Sequence, residues 1–166
     1  MRLDPRLTFD RLVVGAANRL ASAAAHAVAE APGTTYNPLF IYGGSGLGKT
    51  HLLTASAHLL LQVQPDAQVM ALTMDEFSEQ FYAAVSAGET SVFGGRLARV
   101  DLLVLDDLQF LTGRREMQAE LLRVFTAMQE AGRQIICASD RPPGEISDVD
   151  ERLIQRLSGG LVVDVG

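Results

Sequence analysis

The amino-acid sequence predicts an α/β fold, a three-layer α-β-α domain with a five-stranded parallel sheet. Short apolar runs alternate along the chain with segments that carry apolar residues at helical spacing, which indicates a repeated strand-helix unit. The apolar runs are continuous, as expected of strands buried on both faces. We expect residues 1–166 to form one domain, because a chain of this length supports a single hydrophobic core.

The first part of the chain predicts two helices and two strands. An extended N-terminal segment, LTFDRLVVG, precedes an alanine-rich helix that stops at Pro32-Gly33. NPLFIYG is a short apolar run before glycines and predicts a buried strand. The next helix stops near Pro65, and AQVMALT predicts the second strand.

The second part of the chain continues the same alternation. MDEFSEQFYAAVSAG begins with acidic residues and ends at glycine, as a capped helix does. RVDLLVLDD predicts the third strand, and the amphipathic segment REMQAELLRVFTAMQEAG predicts a helix that ends at Gly132. RQIICASD predicts the fourth strand, DVDERLIQRLSGG a short helix and LVVDV a possible fifth strand.

Composition excludes several classes of function. A formal net charge of −6 makes the domain a poor stand-alone binder of duplex DNA, since phosphate contacts need clustered lysine and arginine. One cysteine and three separated histidines offer no zinc-site spacing. We see no apolar run of membrane-spanning length and no secretory leader, and we expect a cytoplasmic protein.

A glycine-rich segment between the first strand and the second helix fits the pattern G-x-x-x-x-G-K-[ST], the P-loop. Glycines let the backbone curl so that its N–H groups point at phosphate oxygens, and the helix that follows adds its positive end. We expect ATP or ADP as the ligand, with the lysine reaching the β- and γ-phosphates of ATP and the threonine hydroxyl binding Mg²⁺. The candidate nucleotide-binding residues are Gly44, Ser45, Gly46, Leu47, Gly48, Lys49, Thr50 and His51.

Two aspartates end the third predicted strand. In open parallel sheets ligands bind at the carboxyl ends of the strands, so Asp106 and Asp107 are expected close to the P-loop. We interpret Asp106 as a Mg²⁺ ligand and Asp107 as the residue that orients or deprotonates the attacking water. Asp140, at the end of the next strand, is a candidate sensor of the γ-phosphate or a turn residue before two prolines.

Three segments resemble the ATPase domain of the DnaA family of bacterial replication initiators, which belongs to the AAA+ superfamily of P-loop NTPases. They are YNPLFIYGGSGLGKTHLL, DLLVLDDLQFLTG and ASDRPPGEI, and the similarity extends from about Leu7 to Val165. The resemblance implies an ATP-dependent switch that assembles head to tail on the replication origin and helps to open the duplex.

The resemblance also implies roles for residues outside the P-loop. An N-terminal group matches the family segment that holds the adenine: Val13, Val14, Gly15 and Asn18. Arg156 matches the arginine finger that reaches the γ-phosphate on a neighbouring subunit, and Arg152, one helical turn earlier, matches a further family arginine.

The resemblance makes binding of single-stranded DNA an open question. MDEFSEQFYAAVSAGETSVFGG matches the initiator-specific insertion, where we expect a helical wedge that contacts the strand. Arg114, Arg115 and Tyr82 are the candidate contacts. Glu116 stands where the family has an arginine. This region can therefore equally be interpreted as a solvent-exposed helix start with mixed charges that does not bind DNA.

The family continues into a helical lid and a DNA-reading helix-turn-helix domain, neither of which occurs in these 166 residues. We therefore expect an AAA+ core alone, with weak nucleotide binding and slow hydrolysis. A related regulator that acts on the initiator without DNA reading, or a helicase loader, remains an alternative. A small-molecule kinase is disfavoured, because the chain shows no arginine-rich acceptor lid.

Overall fold

All five strands of the computed structural model, which describes residues 1–46 and 48–166, join one parallel sheet. The strands are β1 (Leu39–Tyr42), β2 (Val69–Thr73), β3 (Leu102–Asp106), β4 (Gln134–Ser139) and β5 (Leu161–Asp164). Their order across the sheet is β2-β3-β4-β1-β5. The fifth strand, predicted only as possible, pairs with β1 from Leu39 opposite Leu161 to Tyr42 opposite Asp164.

Helices connect the strands, and the bounds of all but one of them follow the predicted segments closely. They are α1 (Arg19–Glu30), α2 (Lys49–Val63), α3 (Met74–Ala87), α4 (Thr90–Ala98), α5 (Arg115–Glu130) and α6 (Glu151–Ser158). In the part of the chain that the structure describes, none of them is long and apolar enough to span a membrane.

Side chains of successive strand residues enter two separate hydrophobic clusters, one on each face of the sheet. Phe40, Leu103 and Cys137 pack with α3, α4, α5 and α6, whereas Leu39 and Val104 pack with α1 and α2. The strands are apolar throughout because both of their faces are covered. This arrangement confirms the predicted three-layer α/β fold.

The segment expected to form a helical wedge consists of two helices. Thr73 and Glu76 form a capping box that starts α3, and Gly88 ends it in a left-handed conformation with φ of 69°. Phe93 and Leu97, four residues apart, are buried and anchor α4. α4 is not predictable as a separate helix from sequence, because its glycine pair weakens the helical signal.

The N-terminal segment is not extended throughout, contrary to expectation. Residues Phe9–Arg11 form a 3₁₀ turn, in which the Leu12 N–H donates to the Phe9 carbonyl at 3.2 Å. Phe9 and Leu12 pack against the cluster under α1 and α2, and this packing overrides the weak local preference for extended backbone.

Candidate nucleotide site

The carboxyl ends of β1, β3 and β4 meet at one edge of the sheet, which we call the carboxyl edge. β4 lies between β1 and β3, with Tyr42 opposite Ser139 and Leu105 opposite Cys137. The segments that leave these three strands are the P-loop, the aspartate pair and the Asp140 turn. The topology therefore brings together the three segments that the sequence analysis singled out.

The glycine-rich loop needs glycine at two positions for conformational reasons. Gly46 and Gly48 adopt φ of 79° and 83°, in the left-handed region that other residues rarely occupy. Gly48 is the N-cap of α2, so the N-terminus of this helix faces the loop. Gly44 and Ser45 lie in the exposed part of the loop, while Leu47 lies outside the described residues.

Lys49 folds back across the loop. Its Nζ donates to the carbonyl oxygens of Gly43 and Gly44, at 2.6 and 2.7 Å. A lysine ammonium has three donors and no acceptor, so it can exchange carbonyl partners for phosphate oxygens without further change. The ammonium is therefore positioned to contact a polyphosphate bound by the loop.

Thr50 and Asp106 are in direct contact. The Thr50 hydroxyl donates to Asp106 Oδ2 at 2.8 Å, and Asp106 Oδ1 accepts from the Asp107 N–H at 2.9 Å. The Asp106 side chain is buried, with 5% relative exposure of the residue. The last residue of β3 and the first turn of α2 therefore converge on one point, as predicted.

Asp107 differs from its neighbour in backbone and environment. Its φ of 63° is left-handed, so β3 ends at Asp106 and the chain turns sharply there. Partial burial, together with the nearby Asp106 carboxylate, raises the pKa of Asp107. A carboxyl with a raised pKa is a better proton acceptor once ionised, which suits a general base.

Asp140 lies at the same edge but is engaged by its neighbour. Arg141 Nε and Nη2 donate to the two Asp140 carboxyl oxygens, at 2.7 and 2.9 Å, and this pair lowers the Asp140 pKa. The Asp140 N–H donates to Gln109 Oε1 at 3.3 Å. Gln109 also lowers the pKa of the nearby Asp107 carboxyl, and it was missed because a lone glutamine in a turn carries no sequence signal.

The candidate adenine-binding residues form a small folded loop. Asn18 accepts from the Gly15 N–H at 2.8 Å and donates through Nδ2 to the Val13 carbonyl at 3.0 Å. Val13 and Val14 are exposed large apolar residues, at 87% and 49% relative exposure. An apolar surface of this kind suits an aromatic base. His51, also a predicted ligand residue, directs its ring Nε2 to the Thr8 carbonyl.

Arg156 lies away from the carboxyl edge. Its Nη1 donates to Gln129 Oε1 at 3.0 Å, near the end of α5, which returns the chain to the start of β4. Arg152, also on α6, is held by Asp150 through Nε at 3.1 Å and Nη2 at 2.8 Å. Both arginines line a groove of about 640 Å³. The structure thus separates both arginines from the P-loop of the same chain.

The candidate DNA-contact residues lie near one another. Arg114 precedes α5, and its Nη1 reaches Ser78 Oγ on α3 at 3.4 Å. Tyr82 follows Ser78 by one helical turn, shares its face and is 43% exposed. Arg115 and Glu116 open α5 and are both exposed, so the two charges stand side by side.

Comparison with known proteins identifies the family. Residues 3–164 match the family model described as the bacterial DnaA ATPase domain. The chain is 48% identical over 163 residues to the chromosomal replication initiator protein DnaA of Symbiobacterium thermophilum, covering 98% of this chain and 36% of that protein. The chain thus spans about a third of the length of this relative.

Solved structures agree with this assignment. Domain III of the Thermotoga maritima replication initiation protein DnaA matches with a TM-score of 0.96 and 41% identity, over 100% of this chain and 69% of that one. Replication initiator DnaA bound to AMPPCP and single-stranded DNA matches with a TM-score of 0.94 and 36% identity, over 99% and 51%. The chain with this P-loop and these strand-end aspartates belongs to the family of bacterial DnaA ATPase domains.

Proposed function

We propose that residues 1–166 act as one nucleotide-binding unit that takes ATP between the P-loop and the aspartates at the end of β3. The contact between Thr50 Oγ1 and Asp106 Oδ2, at 2.8 Å, carries this proposal. It joins two motifs 56 residues apart at the mouth of a glycine-rich loop, as a shared metal–phosphate site requires. A related initiator solved with the nucleotide analogue AMPPCP supports the same ligand class.

The donor groups suit Mg²⁺. A hydroxyl and a carboxylate are hard oxygen ligands, and Mg²⁺ commonly takes one or two protein groups together with substrate phosphates. Thr50 and Asp106 would hold the ion. When bound, the ion would supply positive charge that stabilises the phosphates of the nucleotide.

The protein side of hydrolysis rests on Lys49 and Asp107. Lys49 stabilises negative charge on the phosphates, and Asp107 accepts a proton from the attacking water or orients it, leaving ADP and phosphate. Asp140 reports on the γ-phosphate from the neighbouring strand. We propose slow turnover for the single chain, because Arg156 lies too far from the P-loop of its own chain to assist.

The cellular role we propose is that of a chromosomal replication initiator in the cytoplasm. Arg156 of one copy reaches the γ-phosphate bound by the next, so ATP couples to head-to-tail self-assembly at the origin and to duplex opening. The relative bound to single-stranded DNA supports a strand contact, for which Arg114, Arg115 and Tyr82 are the candidates.

Lys49 is the only lysine in the chain, which makes the nucleotide proposal directly testable. Mg·ATP should protect Lys49 from a lysine-directed acylating reagent, as read by peptide mass spectrometry, and Lys49→Ala should abolish ATP binding in calorimetry. Arg99→Ala, which removes an exposed cation after α4, is the matched control and should bind normally. Unprotected Lys49 at saturating ATP would refute the proposal.

A further inference from the structure

The structure shows a second set of contacts beside the P-loop, between α2 and the N-terminal arm, which we define as residues 4–12. His51 Nε2 lies 2.6 Å from the Thr8 carbonyl oxygen, and His58 Nε2 lies 2.8 Å from the Asp4 carbonyl oxygen. A carbonyl oxygen only accepts, so each ring carries a proton on Nε2 and donates it. Two histidines of one helix thus bind the backbone of one arm.

The spacing of the two histidines explains how both reach the arm. Seven residues correspond to about two turns of an α-helix, so His51 and His58 project from the same face of α2. Both side chains are half-buried under the arm. The acceptors are backbone atoms, so the contact does not depend on which side chains the arm carries.

Further contacts fix the arm along its length. The Phe9 ring packs on His26 of α1, with ring centroids 5.0 Å apart. Leu12 joins the cluster under α1 and α2, and its Cδ1 would lie 3.9 Å from a Cβ placed on Gly48. The arm therefore ends directly beside the P-loop glycine that caps α2.

The arm leads straight into the candidate adenine loop. Thr8 precedes Val13 by five residues, and Asn18 closes the loop on itself through Gly15 and Val13. A loop held in place before the ligand arrives does not lose its ordering entropy on binding, and affinity gains accordingly. Positioning of this loop is therefore a property of the arm contacts as well as of the loop.

We propose that His51 and His58 are positioning residues for the nucleoside end of the ligand: they fasten the arm to α2 and so hold the Val13–Asn18 loop beside the P-loop. The inference rests on the proposed nucleotide function. It separates two parts of one site, since the P-loop binds the phosphates and the fastened arm binds the base.

The test compares ATP with tripolyphosphate, which has no base, in competition against a fluorescent ATP analogue with Mg²⁺ present. His51→Ala should weaken ATP binding about five- to tenfold, as expected for a lost hydrogen bond and a loosened loop. Tripolyphosphate affinity should be unchanged in His58→Ala, since His58 lies about two helical turns beyond His51 on α2. His51→Gln, whose amide nitrogen takes the place of Nε2, should restore ATP binding. His58→Ala, farther from the loop, should have a smaller effect of the same kind.

Hydrogen exchange gives a readout that does not depend on the ligand. The amides of residues 4–18 should exchange faster in His51→Ala, while those of β1 and β3 stay protected. Equal losses for ATP and tripolyphosphate, or unchanged exchange in the arm, would overturn the inference. If the chain without substitutions bound neither ATP nor tripolyphosphate, the proposed nucleotide function would fail instead. Hydrogen exchange would still test whether the two histidines hold the arm on α2.

Discussion

Asp106 and Asp107 are adjacent in sequence but stand in different surroundings. Asp106 is buried and accepts two hydrogen bonds, from the Thr50 hydroxyl and from the Asp107 N–H. Asp107 turns away in a left-handed conformation, and burial beside the Asp106 charge raises its pKa. Neighbouring carboxyls in unlike environments can take different roles, which supports the proposed division into a metal ligand and a proton acceptor.

We expect Asp107→Asn to lower ATP hydrolysis about 100-fold, because a general base contributes about that much. ATP affinity should stay close to that of the unchanged chain, since the proposed ligands of the phosphates and of Mg²⁺ are Lys49, Thr50 and Asp106. Phosphate release under saturating ATP, together with a binding titration, measures the two effects separately. Hydrolysis at the original rate would exclude Asp107 as base or orienter.

The pH dependence of hydrolysis follows from the direction of the Asp107 pKa. A proton acceptor works only when ionised, so hydrolysis should fall as pH drops through the raised pKa, at higher pH than for an ordinary aspartate. The Asp75 charge also raises this pKa, so Asp75→Asn should shift the acidic limb to lower pH. If the acidic limb of the pH profile stayed at the same pH in Asp75→Asn, a group other than Asp107 would control hydrolysis.

At the scale of elements, the contact between α4 and α5 depends on one glycine. A Cβ at Gly94 would lie 2.1 Å from Glu120 Oε1, whereas a Cβ at Gly95 would meet nothing within 4 Å. Glu120 is buried, at 4% relative exposure, and its carboxylate pairs with Arg123. Of the two glycines of α4, only the first lies where a side chain would displace a buried group.

The two glycines give a matched pair of stability variants. Gly95→Ala should stabilise the fold by up to about 1 kcal/mol, because alanine favours the helix. Gly94→Ala should instead destabilise it by about 1–3 kcal/mol, because the new methyl displaces a buried, paired carboxylate. Urea unfolding followed by circular dichroism measures both variants, and a Gly94→Ala chain as stable as Gly95→Ala would contradict the contact.

At the scale of the whole molecule, the proposed ATP site and Arg156 occupy different parts of the surface. The P-loop lies at the carboxyl edge of the sheet, while Arg156 contacts Gln129 near the opposite edge. A molecule with a site on one surface and its complement on another associates head to tail, which yields rings or open filaments. Arg152 is already neutralised by Asp150, so Arg156 is the stronger candidate for reaching a neighbour.

We expect Arg156→Ala to leave ATP affinity unchanged and to remove ATP-dependent self-assembly. Arg156→Lys should restore little of it, because a lysine cannot make the paired hydrogen bonds of a guanidinium. Sedimentation of the protein with Mg·ATP and with Mg·ADP measures assembly, and Arg152→Ala serves as the comparison variant. Normal ATP-dependent assembly of Arg156→Ala would disprove the finger assignment.

Much of the site could be predicted because its residues carry strong local signals. Lys49 and Thr50 follow a glycine pattern, and Asp106 ends an apolar strand, so motif and topology rules place them together. Gln109 and Gln129 carry no such pattern. Only the three-dimensional structure shows that they accept hydrogen bonds from Asp140 and Arg156. The histidine contacts with the arm were out of reach for the same reason, since they join α2 to backbone atoms more than 40 residues away.

The sequence by itself determined the layers, the parallel sheet and the phosphate loop, because hydrophobic periodicity and backbone freedom are local properties of a chain. The tertiary structure alone decided which carboxylate is buried, where α3 gives way to α4, and that Arg156 stands away from the P-loop of its own chain. Those outcomes depend on burial and on distances between remote segments, which exist only after the sheet has formed.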